Sequence, residues 1–331
     1  MMITEDTYRP TPAMVWSGRT DGVEPDQLRW HQVITITDLL KEPLPPLLPH
    51  QKGMAFLGFA CDEGVRRNKG RTGAAAGPAS LRKAMANLPV HFNAQTILAD
   101  AGDILCPGGE LEKAQLALSE TVQAVLTAGY MPLLLGGGHE IAYGHARGIR
   151  QFAKGQRTGF INFDAHFDIR IPGAEGASSG TGFWQLAQDC KRSGEPFNYL
   201  ALGIQKNGNT RQLFNIAGEE GAMYVSADAF HLNDKDTLFA AIQHFLGQVD
   251  KVYLTTCLDV FAAPFAPGVS AAAYNGILPG GLFLQCYREM LQSGKVAGAD
   301  IAELNPSLDI GNRTAKLAAD LVFEIAGSCM T

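Results

Sequence analysis

The sequence has little cysteine and no dense cysteine pattern. Its six cysteines lie far apart along 331 residues, without a Cys-x-x-Cys pair, which argues against a disulfide framework and against a structural zinc knuckle. The start, MMITEDTYRPTPAMVW, lacks the basic and apolar regions of a secretory signal peptide. No apolar run reaches the roughly 18 residues that span a bilayer. These absences predict a cytoplasmic protein with reduced thiols and no membrane segment.

An excess of positive charge is also absent. The formal net charge is −6, with 18% charged and 46% hydrophobic residues, so no overall basic field favours nucleic acid or an anionic membrane surface as a partner. An anionic substrate would need a local cationic site. The hydrophobic content is ordinary for a globular protein, and a chain of this length can bury a large core.

Short apolar runs alternate with segments of helical pattern from Met54 onward. Residues 1–50 are rich in Pro, Asp and Trp and end in KEPLPPLLPH, which predicts an extension that wraps the surface. Strands that alternate with helices, such as those predicted at 111–129 and 235–248, indicate a mainly parallel α/β sheet covered on both faces. No linker divides the chain, so we expect a single domain over residues 1–331. The predicted strands are 54–60, 95–100, 131–136, 158–165, 197–204, 222–227, 251–260 and 298–304.

Polar clusters follow several of these strands, at the edge where parallel sheets bind ligands. The first cluster is GGGHE, which places His139 after the run MPLLL. Three glycines allow a sharp turn and a close approach to a bound group. A phosphate-binding loop is an alternative, but the lysine and hydroxyl of a P-loop are missing. A single histidine at such a place is more often a hydrogen-bonded structural residue than a ligand.

The second cluster is NFDAHFD, at the end of the run TGFINF. In extended backbone alternate residues share a face, so we expect Asp164, His166 and Asp168 to point together. Two carboxylates and an imidazole on one face would repel and desolvate at high cost without a cation. A solvated, exposed strand is the alternative, but the apolar run before the cluster argues against it. The spacing therefore predicts metal binding.

The third cluster ends the run KVYLTTCLDV, where the same alternation places Cys257 and Asp259 on one face. Alone it is uninformative, because free cysteine is among the most buried residue types. Together the three clusters place six candidate ligands at strand ends, which are too many for one tetrahedral zinc and suit two adjacent metals. These ligands are His139, Asp164, His166, Asp168, Cys257 and Asp259.

The clusters GGGHE, NFDAHFD, LDV…APGVS and DIAELNPSLD resemble the arginase, agmatinase and formimidoylglutamase family of ureohydrolases. The resemblance covers residues 54–328. It implies a three-layer α/β/α sandwich with a mainly parallel sheet, two divalent metal ions per chain that are usually Mn2+, and the ligand roles for the residues above. Members of the family commonly form trimers or hexamers, so the resemblance allows a homo-oligomer without fixing its size.

Cys257 departs from the family, which usually has a metal-bridging aspartate at this position. In one interpretation the cysteine ligates as a thiolate, since a nearby dication deprotonates a thiol. A softer ligand would then favour zinc, iron or cobalt over manganese. In the other interpretation Cys257 is a bystander and one metal is held weakly. We favour ligation, and in both cases expect sensitivity to oxidants.

The expected reaction is attack of a metal-activated water on an amidine or guanidine carbon, followed by loss of an amine. Asp168 or a neighbouring ligand carboxylate would accept a proton from that water and deliver it to the leaving amine. Glu303, in IAELNP, corresponds to the family glutamate that hydrogen-bonds the cationic =NH2 groups of the substrate. The alternative for Glu303 is a carboxylate near a helix N-terminus.

Two loops distinguish between substrates. The segment GASSGTGF carries Ser178 and Ser179 where arginases and agmatinases have a histidine, and it resembles the formimidoylglutamases. Hydroxyl groups suit substrate hydrogen bonding better than proton transfer, although Ser and Gly also suit a flexible loop. The segment GVRRNKGRTG carries four cations within six residues, and its match to an N-K-G-R pattern singles out Asn68 and Arg71 for a carboxylate. A charge run is otherwise a solvated face.

A second candidate for binding the amino-acid end of the substrate is the segment Asn209-Thr210-Arg211. A substrate with two carboxylates would explain this demand for cations and amides, whereas agmatine would not. The resemblance thus implies hydrolysis of N-formimidoyl-L-glutamate to L-glutamate and formamide, a step in histidine breakdown. One alternative is another amidine or guanidine hydrolase, of the agmatinase, guanidinobutyrase or arginase type. An alternative of a different class is a catalytically silent metal-binding protein.

Overall fold

A ten-stranded sheet forms the centre of the computed structural model, which describes residues 3–330. Residues 1, 2 and 331, which the predicted single domain includes, lie outside the described residues. All eight strands predicted from the sequence are present, with ends shifted by a few residues. The strands are β1 (Tyr8–Arg9), β2 (Thr35–Ile36), β3 (Lys52–Ala60), β4 (Thr96–Leu105), β5 (Tyr130–Leu135), β6 (Thr158–Phe163), β7 (Asn198–Ile204), β8 (Met223–Ser226), β9 (Lys251–Cys257) and β10 (Val296–Ala302).

The strand order is β1-β4-β3-β5-β10-β9-β6-β7-β8, with β2 paired to β4. Among the described strands every pairing is parallel except that of β1 with β4. The carboxyl ends of β3, β5, β6, β9 and β10 therefore meet at one edge of the sheet. This edge is where the predicted polar clusters lie.

Helices cover both faces of the sheet, because the strands are apolar on both sides. Within β5, Leu133 and Leu135 pack into one core with the helices Gly77–Met85, Lys235–Gln248, Gly281–Gln292 and Arg313–Cys329, whereas Leu134 packs into a second core with the helices Leu111–Thr127, Ile141–Phe152, Gly182–Ser193 and Arg211–Glu219. The result is three layers, as the sequence predicts. The helices are α1 (Trp30–Val33), α2 (Glu63–Arg67), α3 (Gly77–Met85), α4 (Leu111–Thr127), α5 (Ile141–Phe152), α6 (Gly182–Ser193), α7 (Arg211–Glu219), α8 (Ala227–His231), α9 (Lys235–Gln248), α10 (Gly281–Gln292) and α11 (Arg313–Cys329).

Residues 3–50 do more than wrap the surface. Trp16 and Trp30 are buried in the core against Phe56 of β3. The indole of Trp16 donates to Asp100 of β4 over 2.5 Å, and the same carboxylate pairs with the buried guanidinium of Arg82. The segment is thus anchored by aromatic packing and by a buried ion pair. That residues 1–50 form an N-terminal extension of a single domain stays a prediction.

The six cysteines are all free thiols, and four of them are buried. No helix within residues 3–330 combines the length and the apolar character that crossing a membrane requires.

Candidate metal centre

The glycine run after β5 brings His139 to the edge of the sheet. Gly136 donates its N–H to Ile301 of β10 and Gly137 donates to Phe59 of β3, each over 2.8–2.9 Å. A Cβ on Gly137 would collide with the carbonyl oxygen of Cys61, so the close approach requires glycine. The loop is held between two strand ends, and it leaves His139 buried just before α5 begins.

The NFDAHFD cluster converges by a different route from the one predicted. β6 ends at Phe163, so the three ligand candidates do not alternate on extended backbone. Instead the chain turns: the N–H of His166 donates to Asp164 Oδ1 over 2.7 Å, and Asp168 has φ +45°. The predicted alternation is wrong here, because the chain leaves the sheet before the first carboxylate.

The same correction applies to the end of β9. Cys257 is the last residue of the strand, and Asp259 lies in a 3-10 turn, Leu258–Val260, instead of continuing the strand. Both side chains nevertheless reach the edge of the sheet beside the NFDAHFD turn. The two side chains therefore lie at the predicted edge of the sheet, although the backbone at Asp259 is a 3-10 turn and not the predicted strand.

The six candidate ligands come together at one place. The Nδ1 atom of His139 lies 2.9 Å from Asp164 Oδ2 and 2.7 Å from Asp168 Oδ2. The Nδ1 atom of His166 lies 3.4 Å from Asp164 Oδ1 and 3.2 Å from Asp259 Oδ2. Asp164 thus presents one carboxylate oxygen to each histidine.

These contacts define two overlapping groups of possible ligand atoms. His139, Asp164 and Cys257 form one, and Asp164, His166 and Asp259 form the other, with ligand atoms within 4.8 Å of one another in each group. Because Asp164 belongs to both, it stands between two neighbouring positions for a cation. The thiol of Cys257 lies in a group with the other donors, so its position is compatible with ligation.

Burial makes this cluster electrostatically costly without cations. Burial, reinforced by Asp164, raises the pKa of Asp259 to about 6. Burial, reinforced by Asp259, raises the pKa of Glu303 to about 8. Burial opposes protonation of His139, but hydrogen bonds to Asp164 and Asp168 raise its pKa well above the usual value. Such crowding of buried carboxylates is the arrangement that a bound dication relieves.

An orphaned oxygen atom supports the same fit. Oδ1 of Asp259, a candidate ligand, is buried without a hydrogen-bond partner among the described residues, and so is Oε2 of Glu303, which is not a candidate ligand. Buried polar atoms are otherwise nearly always paired. A set of carboxylates, imidazoles and one thiol is a donor set for divalent transition metals, so the residues present fit two such ions.

Glu303 lies directly after β10 with φ +71° and points toward His139. Its Oε1 accepts the backbone N–H of His139 over 2.9 Å, and only 4% of the residue is exposed. A cavity of about 580 Å3 opens above these residues. The residues that form the floor of this cavity are Glu303, His139, His166, Asp168, Cys257 and Asp259.

The cationic segment after β3 forms part of the cavity mouth. Arg66 and Arg67 are held in ion pairs with Glu63, and they also reach Glu175 and Glu112. Lys69 and Arg71 line the cavity, and within residues 3–330 neither has a carboxylate partner. The structure thus divides the four cations into a pair held by carboxylates, of which Arg67 also lines the cavity, and a cavity-lining pair without carboxylate partners.

Two predicted substrate contacts lie beside this pair. The amide of Asn68 donates to the hydroxyl of Ser179 over 3.1 Å, and both residues line the cavity. Arg71 Nε and Nη2 donate to the carbonyl groups of Ser270 and Val269. These contacts orient the guanidinium at the mouth.

Three predicted substrate contacts do not line the cavity. The amide of Asn209 is used by the backbone, because it accepts from Phe167 N–H and donates to the carbonyl oxygens of Ala165 and Gln205. Thr210 is exposed beside it at the start of α7, and Ser178 N–H bonds Thr181. Asn209 therefore supports the turn that carries His166, which is a structural role that the sequence did not indicate.

Arg170 is a cavity residue that sequence reasoning missed. It follows Asp168 by two positions and lines the same cavity as Lys69 and Arg71, with no carboxylate partner among residues 3–330. Its side chain lies over Gly180, where a Cβ would be 3.0 Å from Arg170 Cδ. Its place directly after the metal cluster was the available signal.

Comparison with known proteins identifies the class. The model of the arginase family matches residues 52–327, and the chain belongs to that family. The formimidoylglutamase of Clostridium tetani is 43% identical over 324 residues, covering 96% of this chain and 95% of that protein. The formimidoylglutamase of Chromobacterium violaceum is 45% identical over 316 residues, covering 94% and 97%. The predicted family, and within it the resemblance to formimidoylglutamases, is confirmed.

Solved structures agree on the fold. The formimidoylglutamase of Bacillus subtilis superposes with a TM-score of 0.75 at 23% identity, covering 86% of this chain and 89% of that chain. The formiminoglutamase of Trypanosoma cruzi, solved with two Mn2+ ions, superposes with a TM-score of 0.73 at 26% identity, covering 89% and 99%. The three-layer arginase-like fold predicted from the sequence is confirmed.

Proposed function

We propose that this chain hydrolyses N-formimidoyl-L-glutamate to L-glutamate and formamide, using two divalent metal ions. One observation carries the proposal: two ligand groups that share Asp164 form the floor of a cavity whose mouth carries three cations without carboxylate partners among residues 3–330. The floor suits a hydrolytic metal pair. The mouth suits a substrate that carries carboxylates.

The relatives support manganese as the first choice, since the Trypanosoma cruzi formiminoglutamase was solved with Mn2+. His139, Asp164, Asp168 and Cys257 would hold one ion, and Asp164, His166 and Asp259 would hold the other. Divalent ions held by these residues would supply a bound water of lowered pKa and would offset the negative charge of the buried carboxylates.

Cys257 is proposed as a thiolate ligand. Burial and the surrounding carboxylates raise the pKa of its thiol well above the usual value, so only a bound cation would keep the sulfur deprotonated. A sulfur in place of a carboxylate oxygen shifts the preference of the site toward softer ions such as cobalt, iron and zinc.

Two carboxylates would act on the reacting groups. Glu303 already uses Oε1 to accept from His139, so the unpartnered Oε2 is free to accept from the cationic =NH2 group of the substrate. Asp168 would accept a proton from the attacking water and return it to the leaving nitrogen. Its side chain lines the cavity, with Oδ2 2.7 Å from His139 Nδ1.

The mouth would hold the glutamate moiety. Arg71 and Arg170 present planar guanidinium groups, which bind carboxylates through two parallel hydrogen bonds. Lys69 adds a point charge, while Asn68 and Ser179 offer an amide and a hydroxyl. Agmatine carries no carboxylate and would leave these cations unpaired.

The cytoplasm is the proposed compartment, in keeping with six free thiols in the described part of the chain.

Turnover by manganese-loaded protein tests the function directly. Formimidoylglutamate is supplied in parallel with arginine, agmatine and guanidinobutyrate, and released formamide, urea and amine are quantified. Formamide from formimidoylglutamate at a rate well above the other three supports the proposal. Fast urea release from arginine without formamide would assign a different substrate to the same centre. No turnover together with one metal or none per chain would favour the catalytically silent alternative.

A further inference from the structure

A continuous chain of hydrogen bonds runs from the metal centre into the core. The Nε2 atom of His139 lies 3.1 Å from the hydroxyl of Thr255. That hydroxyl donates to Asp300 Oδ1 over 2.5 Å, and Asp300 Oδ2 lies 2.7 Å from His145 Nδ1. Beyond His139 the chain is fully buried and does not line the cavity; its members are Thr255, Asp300 and His145.

The direction of this chain selects one tautomer of His139. A threonine hydroxyl has a single proton, and Thr255 gives that proton to the carboxylate of Asp300. The hydroxyl oxygen can then only accept from His139, which places the imidazole proton on Nε2. The lone pair of Nδ1 is left to face Asp164 and Asp168, where a cation would bind.

Backbone and aromatic packing hold the chain in place. Asp300 of β10 is the direct register partner of Thr255 of β9. The ring of His145 packs edge-on against Tyr253, with centroids 4.9 Å apart. A Cβ on Gly298 would lie 2.8 Å from His145 Nε2, so β10 packs directly against the imidazole ring at this glycine. His145 donates to one carboxylate oxygen while Thr255 donates to the other.

We propose that His145 and Asp300 are positioning residues for the metal centre. His145 fixes the carboxylate of Asp300, Asp300 fixes the hydroxyl of Thr255, and that hydroxyl fixes the ring orientation and tautomer of His139. The inference rests on the proposed function, since the ring matters as a ligand only if His139 binds a cation. Partners of this kind change metal affinity by about 10–100-fold when removed.

His145 allows a matched pair of variants. H145F keeps a ring of similar size and removes the donor to Asp300, whereas H145N keeps an N–H donor close to the position of Nδ1. We expect H145F to weaken Mn2+ binding at least 10-fold in competition with a chelating dye, and H145N to restore most of that affinity. Equal affinity of H145F and the wild type would overturn the inference.

Neighbouring threonines separate positioning from stability. Thr255 and Thr256 are both fully buried on β9, but Thr256 contacts Tyr287 on the opposite face, 3.2 Å away. T255V and T256V each remove one buried hydroxyl, so both should lower the Tm of the metal-free protein. Only T255V should weaken Mn2+ binding and lower kcat at subsaturating metal. Equal Mn2+ affinities in the two variants would contradict the inference. A wild type that binds no Mn2+ and turns over nothing would refute the proposed function as well.

Discussion

In the metal-loaded protein, where bound cations would keep Glu303 ionised, replacing it by glutamine removes a charge from the floor of the cavity and keeps the shape of the side chain. The amide oxygen of glutamine can still accept the N–H of His139 that Glu303 Oε1 accepts now over 2.9 Å. The amide NH2 would then face the cavity in place of Oε2. A donor would meet the donor groups of the amidinium substrate, so E303Q should fail in catalysis and not in folding.

The size of the effect follows from burial and charge. Glu303 is only 4% exposed, so solvent screens its contact with a cationic substrate weakly. Hydrogen bonds to charged groups contribute about 1.5–3 kcal/mol, and 1.4 kcal/mol corresponds to a factor of ten. We therefore expect kcat/KM for formimidoylglutamate to fall by about 10–150-fold. The left-handed backbone at this position is unchanged, because glutamine and glutamate have similar backbone preferences.

The assay combines steady-state kinetics at saturating Mn2+ with metal analysis of the same samples. Glu140 offers a matched control: it is fully buried, one oxygen accepts from Gly64 N–H over 2.8 Å, and the other has no partner among residues 3–330. Unlike Glu303, it does not line the cavity. E303Q should keep the metal content of the wild type and lose far more activity than E140Q.

The reasoning fails if E303Q retains wild-type kcat/KM. It also fails if the variant loses its metal in parallel with its activity, because Glu303 would then act by holding the centre together and not by contacting the substrate.

Three further outcomes are expected. R170Q should raise KM for formimidoylglutamate about 3–5-fold with kcat little changed, because it removes one charge-assisted contact at an exposed mouth, where such contacts contribute up to about 1 kcal/mol; an unchanged KM would place the substrate elsewhere. Cobalt-loaded wild type should show sulfur-to-metal charge-transfer absorption that C257D lacks, and identical spectra would make Cys257 a bystander. Hydrogen bonds from Arg66, and also from Arg67, lower the pKa of Glu63 to about 2, so its ionised form stabilises the fold above the pKa of the unfolded chain, near 4.5. E63Q should therefore be less stable by about 1 kcal/mol near pH 6, and thermal unfolding should show this difference shrinking as the pH falls toward 2; a constant difference would exclude the ion pairs as its cause.

The sheet and the position of the site could be predicted because both depend on local pattern. Eight apolar runs bounded by polar turns become strands β3 to β10, and parallel pairing brings their carboxyl ends to one edge. Polar residues placed after such runs are then near one another whatever the exact turn. For this reason His139, Asp164 and Asp259 converge although two of the three clusters leave the sheet earlier than expected.

The conformation of the turns could not be predicted. The left-handed backbone of Asp168 carries no local signal, since aspartate only tolerates that region and does not require it. Whether each arginine is paired depends on carboxylates that are distant in the sequence. Arg67 forms an ion pair with Glu112, 45 residues away, and Arg66 with Glu175, 109 residues away. Long-range pairing of this kind decides which cations remain for the substrate.

The occupancy of the centre tests the account most directly. Crystals of manganese-loaded protein, measured with anomalous scattering at the manganese edge, should show two peaks per chain, each within about 2.0–2.6 Å of a different carboxylate oxygen of Asp164. One peak, or two peaks that Asp164 does not bridge, would contradict the paired-cation centre on which the proposed reaction depends.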